Sequence, residues 1–334
     1  MRNKSMAAIF ESRTLAAPSE VHAGSGPASC PLCGSAATGD PHSLRKDRWT
    51  YLRCVACEGV SLFPVPDGVS LAAYYNQSYS VPLRNYLRAM STRSGSILSD
   101  IGGWFPRQGT LLEIGCSYGG FLNAARTAGW KTAGIELDDR AARYARETLG
   151  LNVQSGTLDD AVTALQPPYD VIVALHVIEH VPAPIAFLRR CHELLAPGGI
   201  LFLKTPNIGS WIAARTGSYW QWLSPPAHIH LFSSRSIASA LKASGFQPQR
   251  ISSQRGDAEN NLFEMISATG RYAVSRKASD AAGGPARTGR MDHWYVKAVR
   301  LMSEIIYYPF SITLDRRLGR KCLQPELVAV AQAL

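Results

Sequence analysis

The sequence predicts an α/β protein, with a parallel sheet covered by helices on both faces and a small four-cysteine module ahead of it. Three observations carry this expectation. From residue 109 onward, apolar runs alternate with helical patterns at the spacing of βαβ units. The stretch "LLEIGCSYGGFL" (111–122) reads as a strand, a glycine-rich turn and the start of a helix. Cys30, Cys33, Cys54 and Cys57 are spaced C-x2-C-x20-C-x2-C.

In chain order, residues 1–28 are rich in Ala, Ser, Gly and Pro and are expected to be a disordered arm. The cysteine module spans 29–66 and ends at "FPVP". Residues 67–104 read as a helical linker or cap, with a basic face at Arg84, Arg88 and Arg93. The main domain fills 105–334, with an insertion at about 253–322. Its strands are "TLLEIGC", "KTAGIEL", "NVQSG", "YDVIVAL", "GILFLKTP", "QPQRISSQ" and the closing "PELVAVAQ". Helices are read at "GGFLNAARTAG", "DRAARYARETLG" and "SIASALKASGF".

The chain has 334 residues, 46% hydrophobic and 18% charged, an ordinary soluble composition. Its net charge of +10 bears on partners rather than on fold, and suits nucleic acid, an anionic lipid surface or an acidic substrate. No apolar run reaches the ~18 residues of a membrane span. Glu11 and Arg13 interrupt the first apolar run, so no signal peptide is expected. A reducing cytoplasm follows as the expected compartment, where cysteines serve as metal ligands. Four thiolates at this spacing suit one tetrahedral zinc ion, as in a zinc ribbon, and a closed site of that kind is structural.

"GCSYG" fits two kinds of turn. It matches G-x-S-x-G, in which Ser117 would be a nucleophile. It also matches a turn that lets a nucleotide-like cofactor approach the backbone. The second needs an acidic residue about 20 positions on, and Glu136 stands 21 residues after Gly115 at the end of the next strand. The loop lacks the full G-x-G-x-x-G of a pyrophosphate binder, so a cofactor with a ribose and no phosphates fits better. The nucleophile pattern is unsupported rather than excluded.

Taken in order, "LLEIGCSYGGFL", "GIEL", "SGTLDD", "YDVIVALHVIEHV", "LLAPGGILFLKTPN" and "HIHLFSSRSIASALKASGF" resemble class I S-adenosylmethionine-dependent methyltransferases. The likeness is closest to the branch with ubiquinone-biosynthesis O-methyltransferases. It implies a Rossmann-like seven-stranded sheet and S-adenosylmethionine as cofactor. It also implies that Gly115, Cys116, Ser117 and Gly119 lie under the methionine part and that Glu136 holds the ribose. Leu137 would lie against the adenine, Thr157 and Leu158 at its edge, and Leu175 and His176 toward the sulfonium.

Alcohol or phenol acceptors must lose a proton, and a histidine suits that task. "HVIEHV" offers His176, Glu179 and His180, which share one face if the segment is helical. The related enzymes carry Glu-x-x-Glu-His, thought to hold a divalent metal. Here His176 replaces the first Glu, which disfavours magnesium; a transition metal, as a second ion, would tolerate it, and the alternative is that Glu179-His180 is structural, pairing with nearby backbone. His228 and His230 in "PPAHIHLF" are further base candidates, and Trp211, Trp220 and Trp222 could wall an acceptor pocket.

The expected activity is methyl transfer to a hydroxyl or carboxyl of a small-molecule, glycan or carrier-bound intermediate. RNA methylation with the ribbon as RNA reader is the first alternative, and a non-catalytic zinc-ribbon scaffold the second. The stretch "WYVKAVRLMSEIIYYPF" (294–310) suits packing on the sheet, and secondarily a membrane surface or a lipid-like acceptor.

Overall fold

The computed structural model describes residues 29–36, 44–66, 71, 83–254 and 324–333. The expected N-terminal arm, nearly all of the 253–322 insertion and the 294–310 stretch lie outside the described residues.

Three short strands, β1 (Leu44–Lys46), β2 (Trp49–Arg53) and β3 (Val60–Phe63), form the cysteine module. Helix α1 (Leu83–Gly102) leads into the main domain. There β4 (Thr110–Ile114), α2 (Gly120–Thr127), β5 (Lys131–Glu136), α3 (Asp139–Glu147), β6 (Val153–Ser155) and α4 (Leu158–Ala161) follow one another. Next come β7 (Tyr169–Leu175), α5 (Pro184–Leu194), β8 (Leu195–Pro206), α6 (Trp211–Thr216), β9 (His230–Leu231), α7 (Ser234–Ala243), β10 (Phe246–Gln254) and β11 (Glu326–Ala333).

Seven strands make one sheet in the order β10-β11-β8-β7-β4-β5-β6. The pairs from β8 through β6 are parallel, whereas β11 runs antiparallel to both β8 and β10. The fold class expected from the sequence is thus the one observed. The central strands are apolar on both sides because both faces are covered. Leu112, Ile172, Leu201 and Ala329 face one core, while Leu111, Val171, Phe202 and Val328 face the other. Each of the larger of these side chains, nearly fully buried, contributes about 1.5–3 kcal/mol.

The module is not a separate bead. Its β3 pairs antiparallel with β9 of the main domain, through Val60↔Leu231 and Ser61↔His230. Tyr51, Val60 and Leu62 share a third core with Ile212, Trp220, Leu223 and Ile229.

Candidate functional site

The carboxyl ends of β4, β5 and β7 meet where strand order reverses, the usual crevice of an open α/β sheet. Gly115 follows β4 with φ +74°, and Ser117 with φ +48° continues the left-handed turn. A side chain on Gly115 would strike Val177 as well as strain the backbone. The turn is tied to the next strand, since the N–H groups of Gly115 and Cys116 donate to the Ile135 carbonyl at 2.8 and 3.0 Å. Glu136 closes the crevice. Its Oε2 accepts from Ser117 N–H at 2.6 Å and its Oε1 from Asp138 N–H at 2.8 Å. Each oxygen keeps a further lone pair, so the carboxylate can still accept two ribose hydroxyls.

The helix that follows offers no phosphate site. Tyr86 on α1 accepts from Gly120 N–H, the first residue of α2, and donates to the Cys116 carbonyl, both at 3.0 Å. A diphosphate would need that N–H. Glu113, just before the turn, is 2% exposed, and its Oε2 has no hydrogen-bond partner among the described residues. Burial first, then the Glu136 charge, pushes its acid well above the usual carboxylate range. With the Glu136 carboxylate in the crevice and the first helix N–H already taken by Tyr86, the site disfavours phosphate and suits a cationic nucleoside. Leu137, half exposed, offers an apolar surface at its rim. Thr157 caps α4, its hydroxyl donating to Asp160 at 2.6 Å, so any cofactor contact there would fall to its neighbours. The Ser117 hydroxyl makes no hydrogen bond among the described residues, and His176, His180, His228 and His230 all bond to other partners.

Beyond β7 the expected helical H-x-x-E-H segment is instead a single 3-10 turn, Ile178–His180. His176 precedes it in a left-handed conformation, φ +56°, which is uncommon outside glycine and concentrates at functional sites. That turn brings His176 Nδ1 to 3.3 Å from Glu179 Oε1, while Nε2 lies 2.7 Å from Glu326 Oε1. Burial opposes a charge on this ring, but the two carboxylates outweigh it and push its pKa up to about 10. Glu179, buried yet held by His176, drops to about 2. His176 is therefore a held imidazolium, and the expectation that it serves as a base is corrected.

Two other histidines are neutral. His180 donates from Nδ1 to the Ala227 carbonyl at 2.8 Å, and burial lowers its pKa. His228 donates from Nδ1 to the Trp222 carbonyl at 2.6 Å. Burial, with His180 beside it, lowers it to about 3. In both rings an N–H bond to backbone fixes the tautomer and leaves Nε2 as the basic nitrogen. The rings meet edge to face at 4.8 Å between centroids. Trp222 stacks between His176 and His228, at 5.5 and 5.7 Å with interplanar angles of 10° and 9°. Glu179, His180 and His228 present ligand atoms within 4.8 Å of one another.

His230 is a structural group. Its Nδ1 meets Ser61 Oγ at 2.9 Å and its Nε2 the Pro182 carbonyl at 3.2 Å, in full burial. With both nitrogens bonded, the base role expected of it is corrected too. Trp220 is buried in the third core, and Trp211 and Trp222 both pack against it; Trp222 is the one that stacks on the histidines.

A family model described as a methyltransferase domain matches residues 86–251. The ubiquinone biosynthesis O-methyltransferase of Caulobacter vibrioides is 31% identical over 128 residues, covering 36% of this chain and 51% of the relative. That of Bordetella avium is 25% identical over 176 residues, covering 49% of this chain and 72% of the relative. The chain belongs to the class I S-adenosylmethionine-dependent methyltransferases. It spans about half the length of the Caulobacter relative. A SAM-dependent methyltransferase structure from Archaeoglobus fulgidus is similar at 15% identity and a TM-score of 0.45, over 80% of this chain and 100% of the other.

In this chain the four cysteines converge as their spacing implied. Cys30 Sγ lies 3.8 Å from Cys57 Sγ, and Cys33 Sγ 3.8 Å from Cys54 Sγ. Four sulfurs about 2.3 Å from one zinc ion would stand about 3.8 Å apart, so the thiol set fits a tetrahedral ion. Among the described residues, no helix is long and apolar enough to cross a membrane.

Sequence reasoning missed Glu326, Tyr86 and Glu113. Glu326 belongs to an antiparallel strand 150 residues from His176, and no local pattern joins them. Glu113 was within reach: an acidic residue inside an otherwise apolar parallel strand had to be buried.

Proposed function

We propose that the protein transfers a methyl group from S-adenosylmethionine to an oxygen of a small-molecule acceptor. The observation that carries this is the pairing of a phosphate-excluding nucleoside crevice at Glu136 with a neutral imidazole at His228. When bound, the cofactor supplies an electrophilic methyl on a cationic sulfur. Gly115 to Gly119 would bed its amino-acid part, Glu136 would accept its ribose hydroxyls, and Leu137 would cover one side of the base.

His228 Nε2 would accept a hydrogen bond from the acceptor hydroxyl, its Nδ1–H already fixed on Trp222, and, with its pKa lowered to about 3, would take the proton only as methyl transfer makes that oxygen strongly acidic. His176, as a fixed cation, would hold Trp222 and Glu179 in place. Positioning an acceptor in line with the methyl is the main task such a site performs. The names of the matched relatives support oxygen as the acceptor atom. We further propose a structural zinc ion at Cys30, Cys33, Cys54 and Cys57, on the sulfur spacing.

A second reading of the acceptor end places a transition-metal ion on Glu179, His180 and His228, favoured by the closeness of their ligand atoms. Elemental analysis separates the two: one zinc per chain supports the base reading, and a second stoichiometric ion supports the metal. Turnover with simple catechols and S-adenosylmethionine tests the reaction. Turnover that survives His228→Ala undiminished would rule out the base assignment.

A further inference from the structure

The cysteine module reaches the acceptor end through one side chain in particular. Tyr51 lies on β2, is fully buried, and donates its hydroxyl to the main-chain carbonyl of His228 at 2.6 Å. The next residue is held from both sides. Ile229 C=O accepts from Leu62 N–H of β3, and Ile229 N–H donates to the Glu179 carbonyl, each at 2.8 Å. Lys46 of β1 binds the Leu223 carbonyl at 2.6 Å, at the near end of the same segment. Ser233, at its far end, donates to the Cys57 carbonyl at 2.9 Å. Thus segment 223–233, which carries His228, is spanned by the module on one side and by the Glu179–His180 turn on the other.

We propose that Tyr51 is a positioning residue for His228, and that the cysteine module is the outer wall of the acceptor site. This rests on the reading of His228 as the acceptor-side base. The physical reason is local. The imidazole direction is set by its own backbone and by the Nδ1–H bond to Trp222. The Tyr51 hydroxyl is the side-chain donor that fixes the carbonyl of that residue. Without it, a buried carbonyl loses its partner and the peptide can rotate, taking the ring with it. Filling of the module's core is unaffected in Tyr51→Phe, since the aromatic ring stays.

The test uses full-length protein labelled with 15N-histidine, read by long-range proton–nitrogen correlation of the imidazole rings, with His228→Gln for assignment. Wild type should show His228 in the Nδ1–H tautomer. In Tyr51→Phe that signal should broaden or average between tautomers, while His230 stays unchanged, zinc remains one per chain, and affinity for S-adenosylmethionine by calorimetry stays within twofold. An unchanged His228 signal in a folded Tyr51→Phe protein overturns the proposal. If that variant does not hold its fold, wild type is read after zinc chelation instead. A shifted His228 signal with cofactor affinity kept supports the wall, and an unmoved signal overturns it. Wild type that binds no S-adenosylmethionine refutes the methyltransfer reading and leaves the tautomer result standing as a separate outcome.

Discussion

At the cofactor end, nearly every group comes from residues 113–138, and most of the work is done by backbone: a left-handed turn, two N–H groups and one carboxylate. At the acceptor end, four separate stretches must meet, namely 176–180, 222–230, Glu326 and the cysteine module. The first is a site of short sequence reach held by geometry that glycine permits. The second is a site of long reach held by buried charge and hydrogen bonds. Damage should therefore stay local at one end and spread at the other.

The largest expected effect separates the ends by metal. Cys54→Ser should abolish zinc retention and cost several kcal/mol of stability, since binding free energy at such sites is folding free energy. The acceptor end should lose its wall, while affinity for S-adenosylmethionine persists. Calorimetry and elemental analysis on the same sample check this, and equal loss at both ends would break the comparison.

Glu326→Gln comes next. Removing one partner of a buried ion pair costs about 3–5 kcal/mol, read by denaturant unfolding at pH 7. Its pH dependence has a definite sign. His176 has its pKa raised to about 10 in the folded chain, against ~6.5 unfolded. Its contribution is therefore full below pH ~6.5 and fades as pH rises through about 10. Glu326→Gln should flatten that alkaline decline. A decline of equal slope in the variant would remove His176 from the account.

Glu136→Gln acts at the other end. Losing charge-assisted bonds worth about 1.5–3 kcal/mol should weaken the cofactor roughly ten- to hundred-fold, with the histidine signals of the acceptor end unmoved. Ser117→Ala should be the mildest, within twofold for both cofactor affinity and turnover. Abolished turnover with cofactor affinity intact would return Ser117 to the nucleophile reading.

The same contrast explains what could be read from the sequence. The strand and helix segments, the Gly115 turn, Glu136 and the cysteine spacing all follow from short-range patterns, because period, glycine placement and ligand spacing are local properties. His176 stands out in "HVIEHV", but its charge does not. Its protonation depends on Glu326, which arrives on a strand placed by the sheet and not by sequence proximity. His228 and His230 look equivalent in "AHIHLF". Ser61 of the cysteine module engages one of them, and Trp222 orients the other. The ribbon's partnership with β9 was likewise invisible, since a two-residue strand leaves no periodic trace.

Calorimetric titration of the wild-type chain with S-adenosylmethionine and, separately, with ATP tests the central claim most directly. S-adenosylmethionine should bind with one site per chain, Glu136→Gln should weaken it at least about tenfold, and ATP should not bind because Tyr86 occupies the helix N–H a phosphate would need. ATP binding as tightly as S-adenosylmethionine, or a Glu136→Gln variant with unchanged affinity, would contradict it.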